Sequence, residues 1–244
     1  MNKEPLLVTG FRKQGTGTRN KNKQPATVFI LHMPCSILKA NPSGIKKAAQ
    51  IILRGGVVAF PTESFYGLAA DARNEAAIKK VFQLKGREEG KPILLLVVDR
   101  SWLNGLVQEV NPPAERLMEK FWPGPLTLVF RASPNLSPLL TANTGKIGIR
   151  ASGLAVARAL TRTVGRPITG TSANLSGRPS TSTAEEVVQS LGERLDAILD
   201  GGKTAGGLGT TVLDVSEPPF RVLRDGVVSK KDLEAFFTEP ASKK

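Results

Sequence analysis

Three basic side chains, Lys85, Arg87 and Lys91, crowd the segment LKGREEGK at 84–91, with two glycines interleaved. A group that neutralises successive phosphates needs several cations within a few ångströms of one another, and these three can converge if the chain curls after Gly86. A helix C-terminus favours Lys85 on its own through the macrodipole, but cations that run past the helix end exceed what a cap requires. A second group lies in GTSANLSG at 170–177, where Thr171, Ser172, Asn174 and Ser176 offer uncharged hydrogen-bonding groups between glycines. A third lies in FPTESFYG at 60–67. There a strand ending at Phe60 turns at Pro61 and leaves Thr62, Glu63 and Ser64 at its carboxyl end, where open α/β sheets place their ligands. The same hydroxyls also suit an ordinary turn that bonds its own backbone. Arg150 closes the strand GIR and can grip a carboxylate bidentately or pair with a surface acid. Thr210, Thr211 and Arg224 stand at further strand ends.

Other chemistries fit less well. AILDGGKT at 197–204 ends in Gly-Lys-Thr after an apolar strand, yet Ala197 occupies the place of the first glycine of a phosphate loop. AGGLG then follows where a helix must begin, so the segment reads as a flexible glycine-rich turn. Ser64, Ser172 and Ser176 are candidate nucleophiles, but His32 is the one histidine and no Gly-x-Ser-x-Gly occurs. One cysteine, Cys35, excludes an intramolecular disulfide and a cysteine-rich zinc site, and no metal site is expected in the protein itself.

The elements that must position these groups alternate between helical and extended patterns. Ser43 is expected to cap a helix ended by Gly55 and Gly56, followed by a strand at 57–60. Asn74 caps a second helix that carries Ile78, Val81 and Phe82 on one face. ILLLVV at 93–98 reads as a strand buried on both sides. A helix at 114–121, strands at 126–130 and 147–150, and a helix at 154–163 come next. Thr183 and Glu186 form a capping box for a helix reaching about 191, before strands at 197–200, 211–215 and 221–223. This alternation predicts an α/β fold with helices packed on the sheet, in one domain over 26–238 with a short tail at 239–244.

The chain has 244 residues and a net charge of +13. Residues 1–26 carry six lysines and arginines against one glutamate, and 1–25 read as a basic, disordered arm. Both arm and body would attract polyanions, nucleotides and RNA included, although a solvated basic surface gives the same charge. No apolar run is long enough to span a bilayer. No secretory signal is evident at the start, so the cytoplasm is expected, with organellar targeting left open.

In this order, FPTESFYGLAADARN, LKGREEGKPILLLV, FWPGPLTLVF, IGIRAS, GTSANLSGRPS, DGGKTAGGLGTTVLDV and RVLRDG resemble the YrdC-like family, the threonylcarbamoyl-AMP synthases. The pairing of Lys85 and Arg87 in K-x-R with Ser172 and Asn174 in S-x-N carries the resemblance, which extends from about Ile45 to Gly226. It implies a single YrdC-like α/β domain, a twisted mixed sheet flanked by helices with a basic concave cleft. It also implies an enzyme, a nucleotidyltransferase that makes threonylcarbamoyl-AMP and pyrophosphate from L-threonine, bicarbonate or carbon dioxide, and ATP with Mg2+. The product would serve the first step of N6-threonylcarbamoyladenosine formation at position 37 of tRNA, passing to downstream threonylcarbamoyl-transferase proteins. The extra C-terminal domain of longer relatives is not expected, because the chain ends about eighteen residues after Gly226.

By motif position the resemblance assigns Lys85 and Arg87 catalytic roles beside the triphosphate, and it assigns ATP contacts to these two and to Lys91, Lys146, Ser172, Asn174, Ser180 and Arg224. Thr62, Ser64, Arg150, Gly170 and Thr210 fall on the threonine side, with Lys146 and Gly170 acting through backbone. Leu96 stands where some relatives have histidine and Glu88 where many have proline; Glu88 and Glu89 are expected to point outward. Two alternatives remain. One is a non-catalytic RNA-binding module of the same fold, with tRNA or other RNA on the basic cleft. The other is a carbamoyl-adenylating domain.

Overall fold

The computed structural model describes residues 35–86 and 90–238. The arm at 1–25, the expected domain start at 26, His32, Arg87, Glu88, Glu89 and the tail at 239–244 lie outside the described residues. The described residues all belong to one unit, His32–Lys244.

Strand β1 (Ser36–Lys39) leads into α1 (Pro42–Leu53). Asn41, rather than Ser43, is the cap: its Oδ1 accepts the Gly44 amide at 2.9 Å, and Pro42 fills a first-turn position where no N–H is needed. Strands β2 (Val58–Pro61) and β3 (Tyr66–Ala69) form a buried antiparallel pair, joined by the turn that holds Thr62, Glu63 and Ser64. Helix α2 (Glu75–Lys85) is capped by Asn74 as its sequence indicates, and stops at Gly86, where φ is +52°. Of the apolar run at 93–98 only β4 (Leu95–Val97) is extended.

Next come α3 (Pro112–Phe121), β5 (Leu126–Arg131), a short α4 (Pro138–Thr141), β6 (Lys146–Ala151) and α5 (Ala155–Val164). Two dipeptide strands follow, β7 (Ile168–Thr169) and β8 (Thr171–Ser172). Helix α6 (Ala184–Leu191) starts at the expected capping box, with Thr183 Oγ1 accepting the Glu186 amide at 3.2 Å and Glu186 reaching back to Ser182 N at 2.6 Å. The described residues end with β9 (Ala197–Asp200), β10 (Thr211–Asp214), β11 (Arg221–Arg224) and α7 (Lys230–Thr238). No helix follows the Gly-Lys-Thr of 202–204, in keeping with a glycine-rich turn.

The mixed α/β architecture is as expected, and its strands divide between two sheets, ordered β1-β9-β2-β3-β8 and β11-β10-β5-β6-β4-β7. Three connections cross between them, one of them the α2 segment between β3 and β4. Of the other two, the first passes from β7 to β8 through Gly170 alone. Thr169, fully buried at this crossing, donates its hydroxyl to Leu68 O and accepts Ala70 N, both at 2.9 Å, so the two sheets are bonded where they diverge. The second is the 201–210 connection between β9 and β10. Helices α1 and α5 pack side by side over Val58, Phe60 and Leu199 of the first sheet and Leu96 of the second. The larger core lies under α2, α3, α6 and α7. Among the described residues no helix is long and apolar enough to cross a membrane.

Gly226, just after β11, is packed against the backbone of the 201–210 crossing. A Cβ there would collide with Gly209 O and Thr211 N and lie 2.5 Å from Thr210 C, none of which is a flexible side-chain tip. Gly226→Ala should therefore destabilise the protein by about 3 kcal/mol, as overpacking against fixed neighbours does. Urea unfolding checks this, and an unchanged midpoint would contradict it.

Candidate functional site

Between the two sheets opens a cleft of about 650 Å³. The turn after β2 contributes Thr62 and Ser64, the crossing at Gly170 leads to Ser172, and Ser180 lies near them. Opposite stand Lys146 and Arg150 on β6, Thr210 ahead of β10, and Arg224 at the end of β11. Residues singled out in separate stretches of sequence between 62 and 224 thus share one cavity.

Lys85 connects the K-x-R segment to this wall. Its side chain is buried, the residue 4% exposed, and its Nζ donates to Ser172 O at 2.5 Å and Asn174 O at 2.8 Å, with Ser172 Oγ at 3.4 Å. The two signature segments are therefore in direct contact through Lys85. Arg87 lies outside the described residues. Asn174 turns its amide inward, donating to Leu175 O at 2.9 Å and Arg178 O at 2.6 Å, while its buried Oδ1 has no hydrogen-bond partner. Lys91 is exposed and is not among the residues lining the cleft.

Arg150 is 4% exposed. Its Nη1 donates to Glu63 Oε2 at 2.8 Å, and its buried Nε makes no hydrogen bond. Glu63 also accepts Ser152 Oγ at 2.8 Å and the Gly153 amide, so one carboxylate ties the β2–β3 turn to the end of β6. Burial works to raise the Glu63 carboxyl, but the charge of Arg150 and hydrogen bonds from Arg150 and the Glu63 and Gly153 amides outweigh it and hold the group below the usual carboxylate range. Arg224 is lowered by burial and then by the nearby charge of Arg150. Its guanidinium donates to Thr210 O through Nε at 3.0 Å and Nη2 at 2.7 Å, and no carboxylate among the described residues pairs with it. Lys146 is raised, chiefly by its hydrogen bond to Asp214 at 2.9 Å, with Glu217 at 3.5 Å. That pairing occupies the Lys146 ammonium and suits a role for its backbone. The cleft thus holds two guanidinium groups, Arg150 paired with Glu63 and Arg224 met by a backbone carbonyl, with Asp225 also in the lining.

The remaining expected contacts are engaged with the protein itself. Thr62 Oγ1 donates to Phe65 O at 2.6 Å, Ser64 Oγ to Leu208 O at 2.7 Å, and Thr210 Oγ1 meets Thr127 Oγ1 at 3.0 Å. The amide of Gly170 donates to Leu94 O at 2.9 Å, and a Cβ there would lie 2.6 Å from Leu94 Cδ1, so a larger residue would have to displace that side chain. Sequence reasoning left two residues without a role. Glu63 was visible as an acid at a strand's carboxyl end, but its partner is 87 residues away. Tyr66 looks like a core aromatic, yet it lines the cleft, and its hydroxyl donates to Gly202 O at 2.8 Å. Burial first, and Asp200 after it, push this phenol up to about 12, so it stays protonated at neutral pH.

Comparison with known proteins identifies a family for this chain. The Sua5/YciO/YrdC family, described as "Telomere recombination", matches residues 50–226. The threonylcarbamoyl-AMP synthase of Bacillus subtilis (strain 168) is 41% identical over 199 residues, covering 81% of this chain and 58% of that protein. That of Pyrococcus abyssi (strain GE5 / Orsay) is 37% identical over 195 residues, covering 80% and 57%. The chain thus spans less than three fifths of the length of either relative. The solved structure of P. abyssi Sua5 complexed with L-threonine superposes with a TM-score of 0.81 at 34% identity, over 85% of this chain and 62% of that one.

The Glu63 cluster sets a stability prediction. A carboxyl whose folded pKa is depressed stabilises the protein above its unfolded value, about 4.3, and that contribution is lost as pH falls through the folded value. Glu63→Gln should cost about 3 kcal/mol at pH 7, because it leaves the buried Arg150 charge uncompensated. The difference from wild type should shrink below pH 4. Urea unfolding at pH 7 and pH 3 checks this, and an equal difference at both would contradict it.

Proposed function

This chain belongs to the Sua5/YciO/YrdC family, and we propose that its cleft joins L-threonine, carbon dioxide or bicarbonate, and ATP into threonylcarbamoyl-AMP with release of pyrophosphate. The observation that carries the reading is the contact of Lys85 with Ser172 and Asn174, at the edge of a cleft that also holds Arg150 and Arg224. One pocket then offers cations for a triphosphate and a guanidinium for an amino-acid carboxylate.

In the first step the neutral amine of threonine attacks the carbon of carbon dioxide, forming the N–C bond of a carbamate and giving up a proton to solvent. In the second a carbamate oxygen attacks the α-phosphorus of ATP, and the α–β phosphoanhydride bond breaks to release pyrophosphate. Neither step needs a protein nucleophile, so the protein supplies position and charge. Arg150, oriented by Glu63, holds the threonine carboxylate, with Thr62, Gly170 and Thr210 around the amino acid. Arg224, Ser180 and the Ser172 loop clasped by Lys85 face the nucleotide; Arg87, two residues beyond Lys85, completes the cation group in this reading. Among the described residues no cluster of three acids, cysteines or histidines forms a metal cage. Magnesium would enter as a companion of ATP and would supply positive charge to offset that on the departing pyrophosphate. The product would pass to the transferase that modifies adenosine 37 of tRNA, which makes the cytoplasm the natural location.

The test is pyrophosphate release in ATP, magnesium and bicarbonate with each amino acid added separately. Threonine-dependent release is expected, with serine about 10- to 200-fold poorer for want of one methyl group. Lys85→Met should keep the fold and lose turnover by on the order of 100-fold or more, comparable with removing an oxyanion donor. Release that ignores threonine would favour carbamoyl-adenylation, and no release with tight RNA binding would favour a binding module; either result would overturn the proposal.

A further inference from the structure

The segment 201–210 between β9 and β10 contains five glycines, three of them, Gly202, Gly206 and Gly207, at positive φ. Such a chain has much conformational entropy to lose. Apolar burial does not hold it, since its one large apolar side chain, Leu208, is 64% exposed. Yet it delivers Gly209 and Thr210 to the cleft wall, and Thr210 in turn receives the Arg224 guanidinium.

The bonds that hold it converge on the β2–β3 turn. Ser64, 7% exposed, gives its single hydroxyl proton to Leu208 O at 2.7 Å. Its carbonyl accepts Thr204 Oγ1 and Gly206 N, both at 2.8 Å. Thr204 is fixed further through its amide, which donates to Ser182 O at 2.9 Å, while its one hydroxyl proton, shared with Ser182 O at 3.2 Å, favours the shorter bond to Ser64 O. We infer that Ser64 is a positioning residue that latches the glycine-rich connection, with Thr204 as the other half of the latch, and so places Thr210 and Arg224 for their substrates. With its proton committed to Leu208, the Ser64 hydroxyl can meet a substrate only as an acceptor. A latch affects both substrates, because Thr210 is on the threonine side and Arg224 on the nucleotide side. A direct Ser64 contact would affect threonine alone.

The inference rests on the proposed function for its kinetic part, and the experiment separates the two. Hydrogen exchange is followed in the ligand-free full chain and in Ser64→Ala and Thr204→Val, alongside KM for ATP and for threonine. Thr204 is not among the cleft-lining residues, so its loss removes no substrate contact from the wall. Both variants should raise exchange at the residue 204 and Gly206 amides about fivefold, the effect of one hydrogen bond, and raise both KM values by a similar factor. Unchanged exchange in Ser64→Ala, or a Thr204→Val variant with wild-type KM values, would overturn the latch. Faster exchange in a chain whose wild type shows no threonine-dependent turnover would uphold the latch and sink the function assigned to the cleft.

Discussion

Two guanidinium groups held in one partly desolvated cleft cost free energy that the fold only partly offsets. Arg150 and Arg224 are close enough for the charge of one to lower the other, and a single carboxylate, Glu63, reaches Arg150. Arg224 is met by the neutral backbone carbonyl of Thr210, and no carboxylate among the described residues pairs with it. A carbonyl solvates a cation without cancelling its charge, so Arg224 keeps a charge that an anion can complete. The rest of the structure is arranged to hold this unbalanced group in place.

That holding is done at the junction between the sheets. Thr169 bonds the end of the second sheet to β3 of the first, and Gly170 lets the chain cross within contact of Leu94. Glu63 ties the β2–β3 turn to the end of β6, and Ser64 ties the same turn to the connection that carries Thr210. The turn between β2 and β3 thus braces both walls of the cleft. A hydrolase would spend such hydroxyls on nucleophilic chemistry. Here their protons go to protein carbonyls and a carboxylate, which leaves them a structural task.

Much of this was legible because it is local. Asn74 and the Thr183–Glu186 box mark helix starts within four residues of sequence, and the strands at 126–130 and 197–200 announce themselves as apolar β-rich runs between turns. The cap of α1 fell to Asn41 because Pro42 already belongs to the first turn, which moves the boundary ahead of Ser43. The division into two sheets was not legible: β7 and β8 are two residues each, too short to show a period of two. Motif order brought Arg150, Thr210 and Arg224 to one site, but Glu63 could not be matched to Arg150 without knowing that the β2–β3 turn abuts the end of β6. Tyr66 was hidden for a different reason, since a buried aromatic with one polar tip has the same sequence signature in a core and in a cleft wall.

The most direct test is calorimetric titration of the wild-type chain and an Arg224→Met variant with magnesium and a non-hydrolysable ATP analogue. One nucleotide per chain, with affinity falling at least about tenfold in the variant, is the result predicted for a cation that lacks a carboxylate partner and awaits an anion. Absence of heat in the wild type, or equal affinity in the two proteins, would contradict it.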